Sequence, residues 1–205
     1  MLIVAVLAAP SRDRTALATF AIVGDSEINL IVCQHRDTPR RCVTPETTHP
    51  GGSLAKAMGG RYSVAVRARN GKRLDEMLPD VQALVRESPD VVAVNLGTND
   101  ALQGNVAWNG SFSQLLRLVL PIDCVILTTI STSTNHLDPT NAHVALTINE
   151  AVARASKQPN VRVVDWNAAV AQHGPDFAAD GYHPTSLAAQ LWLAQAYRKA
   201  ADSCA

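Results

Sequence analysis

The chain has 205 residues, 47% of them hydrophobic, which suits a single domain with a substantial core. Eighteen Lys and Arg balance eighteen Asp and Glu, so the formal net charge is zero. With no run of like charges, that balance excludes a broad pull toward nucleic acid or an acidic membrane, and a small or neutral substrate suits the surface better than a polyanion.

Residues 2–9 form an apolar run too short to span a bilayer. No Lys or Arg precedes it and Arg12, Asp13 and Arg14 follow closely. Residues 1–18 therefore read equally as an N-terminal extension packed on the domain or as the remnant of an export signal. No stretch is long enough for stable membrane insertion. Residues 20–24 (FAIVG) are a first β-rich run ending in a glycine. Residues 33–60, with Pro39, Pro45, Pro50 and two Gly pairs, predict a long surface connection containing a short helix over 53–58.

Residues 62–66 (YSVAV) are a second β-run. Residues 73–87 carry Leu74, Met77, Leu78, Val81, Leu84 and Val85 at helical spacing, with Pro79 set to kink or split that helix. Residues 91–96 form a third β-run, 112–120 a helix, 124–130 a fourth run, 141–156 a helix and 161–165 a fifth run. A last helix is expected over 186–201. Near-continuous apolar strands belong to a parallel sheet covered on both faces. The pattern predicts a flavodoxin-like three-layer α/β/α sandwich with a five-stranded parallel sheet, as one domain over 1–205.

In such sheets the reactive site lies beyond the carboxyl ends of the strands. The first run ends in Gly24-Asp25-Ser26, the second leads to Asn70-Gly71, and the third ends in Gly97-Thr98-Asn99-Asp100. Asp180-Gly181-Tyr182-His183 stands just ahead of the last helix. A serine hydroxyl needs a base during attack, and neutral imidazole is suited to that task near neutral pH. Ser26 is the candidate nucleophile, His183 its base, and Asp180 the carboxylate that orients the imidazole. The backbone N–H groups of Ser26 and Gly71 and the side-chain amide of Asn99 are three candidate oxyanion donors. Each piece alone is also an ordinary turn or helix cap; the argument rests on their joint placement at one edge of the sheet.

These blocks, in this order, resemble the four consensus blocks of the SGNH (GDSL-like) hydrolases, over residue 21 to about residue 194. That resemblance implies a flavodoxin-like serine esterase with Ser26, Asp180 and His183 as triad and Ser26, Gly71 and Asn99 as oxyanion hole. Glu27 departs from the pattern, standing where many members carry Leu; its carboxylate either points away at the helix start or tunes substrate choice. The expected function is a carboxylester hydrolase working through an acyl-enzyme on short-chain or carbohydrate O-acyl esters. An acyltransferase using the same serine and a non-catalytic binding domain of the same fold are the alternatives. A nucleotide-binding flavodoxin-like protein is disfavoured, because neither G-x-G-x-x-G nor a P-loop follows the first strand. No cofactor is expected.

Trp108, in the segment after the third block, is either a wall of the substrate site or an anchor in the core. His35, His49, His136, His143 and His173 have no catalytic context. The four cysteines show no C-x-x-C spacing, so no metal site is expected. Cys124 opens the fourth strand, at the amino-terminal edge of the sheet. A last helix of about 24 Å running back from His183 brings Cys204 to the level of Cys124. That predicts a Cys124–Cys204 disulfide and leaves Cys33–Cys42 to close a surface loop, as in a secreted or cell-envelope protein.

Overall fold

The structure, a computed structural model, describes residues 17–33, 52–133 and 137–204. The apolar run at 2–9, most of the long connection, and Cys42, His35, His49 and His136 lie outside the described residues.

Strands β1 (Ala18–Gly24), β2 (Tyr62–Ala68), β3 (Val91–Asn95), β4 (Cys124–Thr128) and β5 (Val161–Val164) form one parallel sheet in the order β2-β1-β3-β4-β5. Alternate strand residues bury on opposite faces. Phe20, Ile22, Val91 and Ala93 pack beneath α1 (Ser26–Val32), α2 (Ser53–Met58), α7 (Trp166–His173) and α8 (Leu187–Asp202). Ala21, Val23, Val92 and Val94 pack beneath α3 (Leu74–Arg86), α5 (Trp108–Val119) and α6 (Pro139–Ala155). This is the three-layer α/β/α sandwich expected, and its double-sided burial is why the strands read as apolar runs instead of alternating ones.

The chain leaves β1 for β2 on one side and returns to β3 on the other, so the strand order reverses beside β1. A crevice opens at such a point, where the loops diverge. Gly24 and Asn95 are register partners at that carboxyl edge. Gly24 has to be glycine: a Cβ there would sit 2.1 Å from Ile28 Cγ1 and 3.1 Å from the Asn95 carbonyl oxygen.

Pro79 does not split its helix. Helix α3 runs unbroken from Leu74 to Arg86, because Leu74, Met77, Val81 and Leu84 are buried on one stripe while Pro79 sits exposed. The sequence pattern missed α4 (Thr98–Leu102) and α7, which are short; α4 opens on Thr98 of the third block and α7 on Trp166 behind an Asp165 cap. Helix α5 begins at Trp108, four residues before its apolar stripe was expected to start. Helix α8 recrosses the sheet, and Cys124 and Cys204 are joined with their Cα atoms 5.8 Å apart. Cys33 is disulfide-bonded as well.

Candidate active site

The site grows from four chain turns at the carboxyl edge of the sheet. After β1, Asp25 caps α1 by accepting the Glu27 N–H on Oδ1 at 3.1 Å, which leaves Ser26 at the first position of the helix. The turn before α8 brings His183 to it: Ser26 Oγ and His183 Nε2 are 2.7 Å apart. His183 Nδ1 lies 2.6 Å from Asp180 Oδ2. Asp180 Oδ1 also accepts the backbone N–H groups of His183 (2.8 Å) and Tyr182 (3.2 Å). Burial would raise the Asp180 carboxyl, but these donors and the His183 ring outweigh it and hold it below its ordinary 3.8. An ionised Asp180 on Nδ1 selects the tautomer with its proton there, leaving Nε2 to accept from Ser26.

The His183 turn is pinned from below. Trp166 Nε1 donates to the Tyr182 carbonyl oxygen at 2.8 Å, and the Tyr182 ring lies against the imidazole with centroids 4.4 Å apart. Gln190 Nε2 donates to the Pro184 carbonyl oxygen at 3.2 Å. An imidazole held this firmly keeps its angle toward Ser26 without a bound ligand.

The other turns are cross-braced. Asn99, at the start of α4, donates its side-chain Nδ2–H to Asp25 Oδ2 at 2.8 Å. An amide nitrogen carries two protons, so one is anchored and the second is free to face a substrate oxygen. Asp100 accepts the Leu74 N–H at 2.9 Å and the Asn105 amide at 2.7 Å, tying α4 to the start of α3. Asn29 of α1 donates to Asn70 Oδ1, which fixes the residue ahead of Gly71. Gly71 has φ +72°, a left-handed conformation that favours glycine, with open space where a Cβ would be. The structure thus brings Ser26, Gly71, Asn99, Asp180 and His183 to one edge.

Two buried acids stand behind Ser26. Complete burial pushes Asp25 from 3.8 up to about 6, opposed by the Glu27 N–H, the nearby His183 and the Asn99 amide. Glu27 does not point to solvent: it is fully buried, and burial together with the Asp25 charge holds it well above its ordinary range. Sequence reasoning gave Asp25 no role of its own, and it missed Asn95, Thr98, Trp166 and Tyr197. The signal available was the neighbourhood: Thr98 sits inside the third block with Asn95 just ahead of it, and Asp25 sits inside the first.

Trp108 is 6% exposed and meets Phe112 edge-on at 5.8 Å, so it anchors α5 in the core. His173 stacks on Phe177 with centroids 4.6 Å apart. A cleft of about 320 Å³ adjoins the His183 turn, lined by Ser131, Thr132, Asn167 and Gly181 among others. Its floor is ordered by Asn167 Oδ1, which accepts from the Thr132 N–H (2.8 Å) and hydroxyl (2.9 Å).

The model of the GDSL-like Lipase/Acylhydrolase family matches residues 23–191. No curated protein matches the chain in sequence. Among solved structures, an acetylxylan esterase from Geobacillus stearothermophilus superposes with a TM-score of 0.67 at 17% identity, over 90% of this chain and 94% of that one. An alpha/beta hydrolase from the metagenome of Lake Arreo gives 0.68 at 19% identity, over 92% and 96%. The C-terminal catalytic domain of the Streptococcus pneumoniae peptidoglycan O-acetyltransferase A gives 0.66 at 14% identity, over 92% and 94%. At these identities the likeness is one of fold.

Proposed function

Because the chain belongs to the GDSL-like lipase/acylhydrolase family, we propose that it is a carboxylester hydrolase using Ser26, His183 and Asp180 as its triad. The observation that carries this reading is the unbroken relay of contacts, Ser26 Oγ to His183 Nε2 at 2.7 Å and His183 Nδ1 to Asp180 Oδ2 at 2.6 Å. Ser26 Oγ attacks the ester carbonyl carbon while its proton passes to Nε2. The carbonyl oxygen becomes an oxyanion, received by the Ser26 and Gly71 N–H groups and the free amide proton of Asn99. Imidazolium then returns its proton to the leaving alcohol, the acyl group stays on Ser26, and water repeats the sequence to release the acid.

The substrate is a short acyl ester of a carbohydrate or other polyol. The adjoining cleft sets the hydroxyls of Ser131 and Thr132 and the Asn167 amide beside apolar Val170 and Pro175, a mixed lining that can take both the hydroxyls and the apolar face of a sugar ring. The named neighbours point the same way, one an acetylxylan esterase and another a peptidoglycan O-acetyltransferase. The latter favours a second reading, transfer of the acyl group from Ser26 to a sugar hydroxyl. The whole chain acts as one domain, and its Cys124–Cys204 disulfide supports a secreted or cell-envelope location.

The test is turnover of p-nitrophenyl esters of graded acyl length. Acetate should be preferred, and Ser26→Ala should lose at least ~10³-fold. Turnover persisting in Ser26→Ala would overturn the assignment, and ester formation on an added sugar would select the transferase reading.

A further inference from the structure

Glu27 follows the candidate nucleophile directly, at the first turn of α1, where a carboxylate would ordinarily face water and the positive helix end. Here it is fully buried. Its Oε1 accepts the Thr98 hydroxyl at 2.6 Å, while its Oε2 has no hydrogen-bond partner among the described residues. The Asn95 carboxamide lies near enough to this carboxyl to act on its titration, without a hydrogen bond of good geometry between them. Asn95 donates Nδ2–H to the Tyr197 hydroxyl at 3.1 Å, and its Oδ1 is likewise unpaired. Tyr197 in turn meets Thr128 Oγ1 at 2.7 Å.

An ionised carboxylate has acceptors only, so with Glu27 charged, two buried oxygens of one pocket lack a donor. Each such group costs free energy. One proton on Oε2 turns that oxygen from an unpaired acceptor into a donor, with the Asn95 side chain near enough to the carboxyl to receive it. The charged groups facing Glu27, Asp25 and Asp180, are both acidic. Thr98 of α4 and Asn95 of β3 favour the anion by hydrogen bonding, but burial and the Asp25 charge outweigh them. Asp25 takes the negative charge instead, because it receives two donors, the Glu27 N–H and the Asn99 amide. Two neighbouring acids with unequal donor sets divide in this way into one ionised and one neutral.

We infer that Glu27 is a positioning residue, a neutral carboxylic acid that clamps the Ser26 turn to the Asn95–Thr98 segment and so keeps Ser26 and Asn99 in register. The clamp has a short path: Glu27 is bonded through the chain to Ser26, and Thr98 to Asn99. It acts on the acyl reaction only through those two residues, so its kinetic consequence rests on the function proposed for Ser26.

The experiment compares wild type with Glu27→Gln and Glu27→Leu. Gln keeps a donor and an acceptor, as the neutral acid does; Leu keeps neither. Glu27→Gln should hold kcat within about three-fold of wild type. Glu27→Leu should lose about 10- to 100-fold in kcat with little change in KM, as misplaced reacting groups do. Infrared difference spectra between wild type and Glu27→Gln at neutral pH should contain the C=O stretch of a protonated carboxyl. Neutral Glu27 also fixes a sign: its contribution to stability is complete below the unfolded-state pKa and is lost as pH rises toward the folded one. The Tm of Glu27→Gln should therefore gain on wild type from about pH 5 to about pH 8.

Equal activity of the Gln and Leu variants, equal loss in both, or a carboxylate band in place of the protonated one would each overturn the inference. The spectra and the Tm series can be repeated on a Ser26→Ala background. Failure of the esterase reading would leave them intact, and failure of the clamp would not.

Discussion

Asn99 spends one amide proton on Asp25, and that single contact sets what the residue can offer a substrate. Asn99→Ala removes the donor and leaves a buried carboxylate oxygen of Asp25 without its partner. Turnover should fall about 10²–10³-fold, the scale for one oxyanion donor. Activity within a few-fold of wild type would reduce Asn99 to a turn residue. Asp25 itself titrates at about 6, and its two consequences run in opposite directions. Its folded-state pKa lies above the unfolded value of 3.8, so the fold gains stability as pH falls from about 7 to about 4, by roughly 3 kcal/mol. Over the same interval Oδ2 loses the charge that anchors Asn99. Lowering pH should therefore raise the Tm of wild type relative to that of Asp25→Asn while kcat declines. A Tm difference that stays constant over that range would sink the argument. At this scale the sequence was legible where chemistry names the residue: Ser26, His183, Asp180, Asn99 and Gly71 all stand at one edge. It singled out Glu27 but left its direction open, because whether a first-turn acid faces water or Thr98 depends on how α1 lies over β3, a tertiary fact.

The elements that hold those residues depend on close approach between turns. Gly24 lets α1 start against Ile28 and the Asn95 carbonyl, so Gly24→Ala forces the helix or the strand to move. Overpacking of this kind costs about 1–3 kcal/mol, and more where backbone blocks the way. The clash falls first on Ile28 Cγ1 and Cβ, at 2.1 and 2.8 Å, so Gly24→Ala with Ile28→Ala should recover part of the loss. Urea denaturation of the single and double variants measures the coupling; strictly additive losses would mean the two residues do not press on one another. The β-runs were visible in the sequence because burial on both faces demands continuous apolar residues. The long amphipathic helices α3, α5, α6 and α8 were visible for the same reason on one stripe. Helices α4 and α7 were not, since five and eight residues give too few turns for a period to declare itself. Their starting residues serve the site: Asn99 lies in α4, and Trp166 opens α7 and supports Tyr182.

Across the whole molecule, the covalent and the chemical parts sit at opposite ends of the sheet. Cys124 opens β4 beside Val91, the first residue of β3, whereas Ser26 follows Gly24 at the carboxyl end of β1. The Cys124–Cys204 bond spans 80 residues of sequence and fastens the end of α8 to the sheet. Helix α8 also carries Tyr197, which reaches Asn95 and Thr128 across the core. Closing a loop of that length lowers the entropy of the unfolded chain, worth about 4 kcal/mol when the native geometry is unstrained. For a chain of this size that corresponds to a Tm loss of roughly 8–16 °C. The double substitution Cys124→Ala with Cys204→Ala isolates this bond; a reductant would not, because Cys33 is disulfide-bonded too. At a temperature where calorimetry shows the variant still folded, turnover of the ester substrate should stay within about two-fold of wild type, since the Ser26 edge lies at the other end of the sheet from the cross-link. Calorimetry and turnover on one preparation decide it. A large Tm loss with activity kept fits a staple on the unfolded state. Loss of activity in a variant still folded at that temperature would mean that α8 transmits strain from Cys204 to the Ser26 edge.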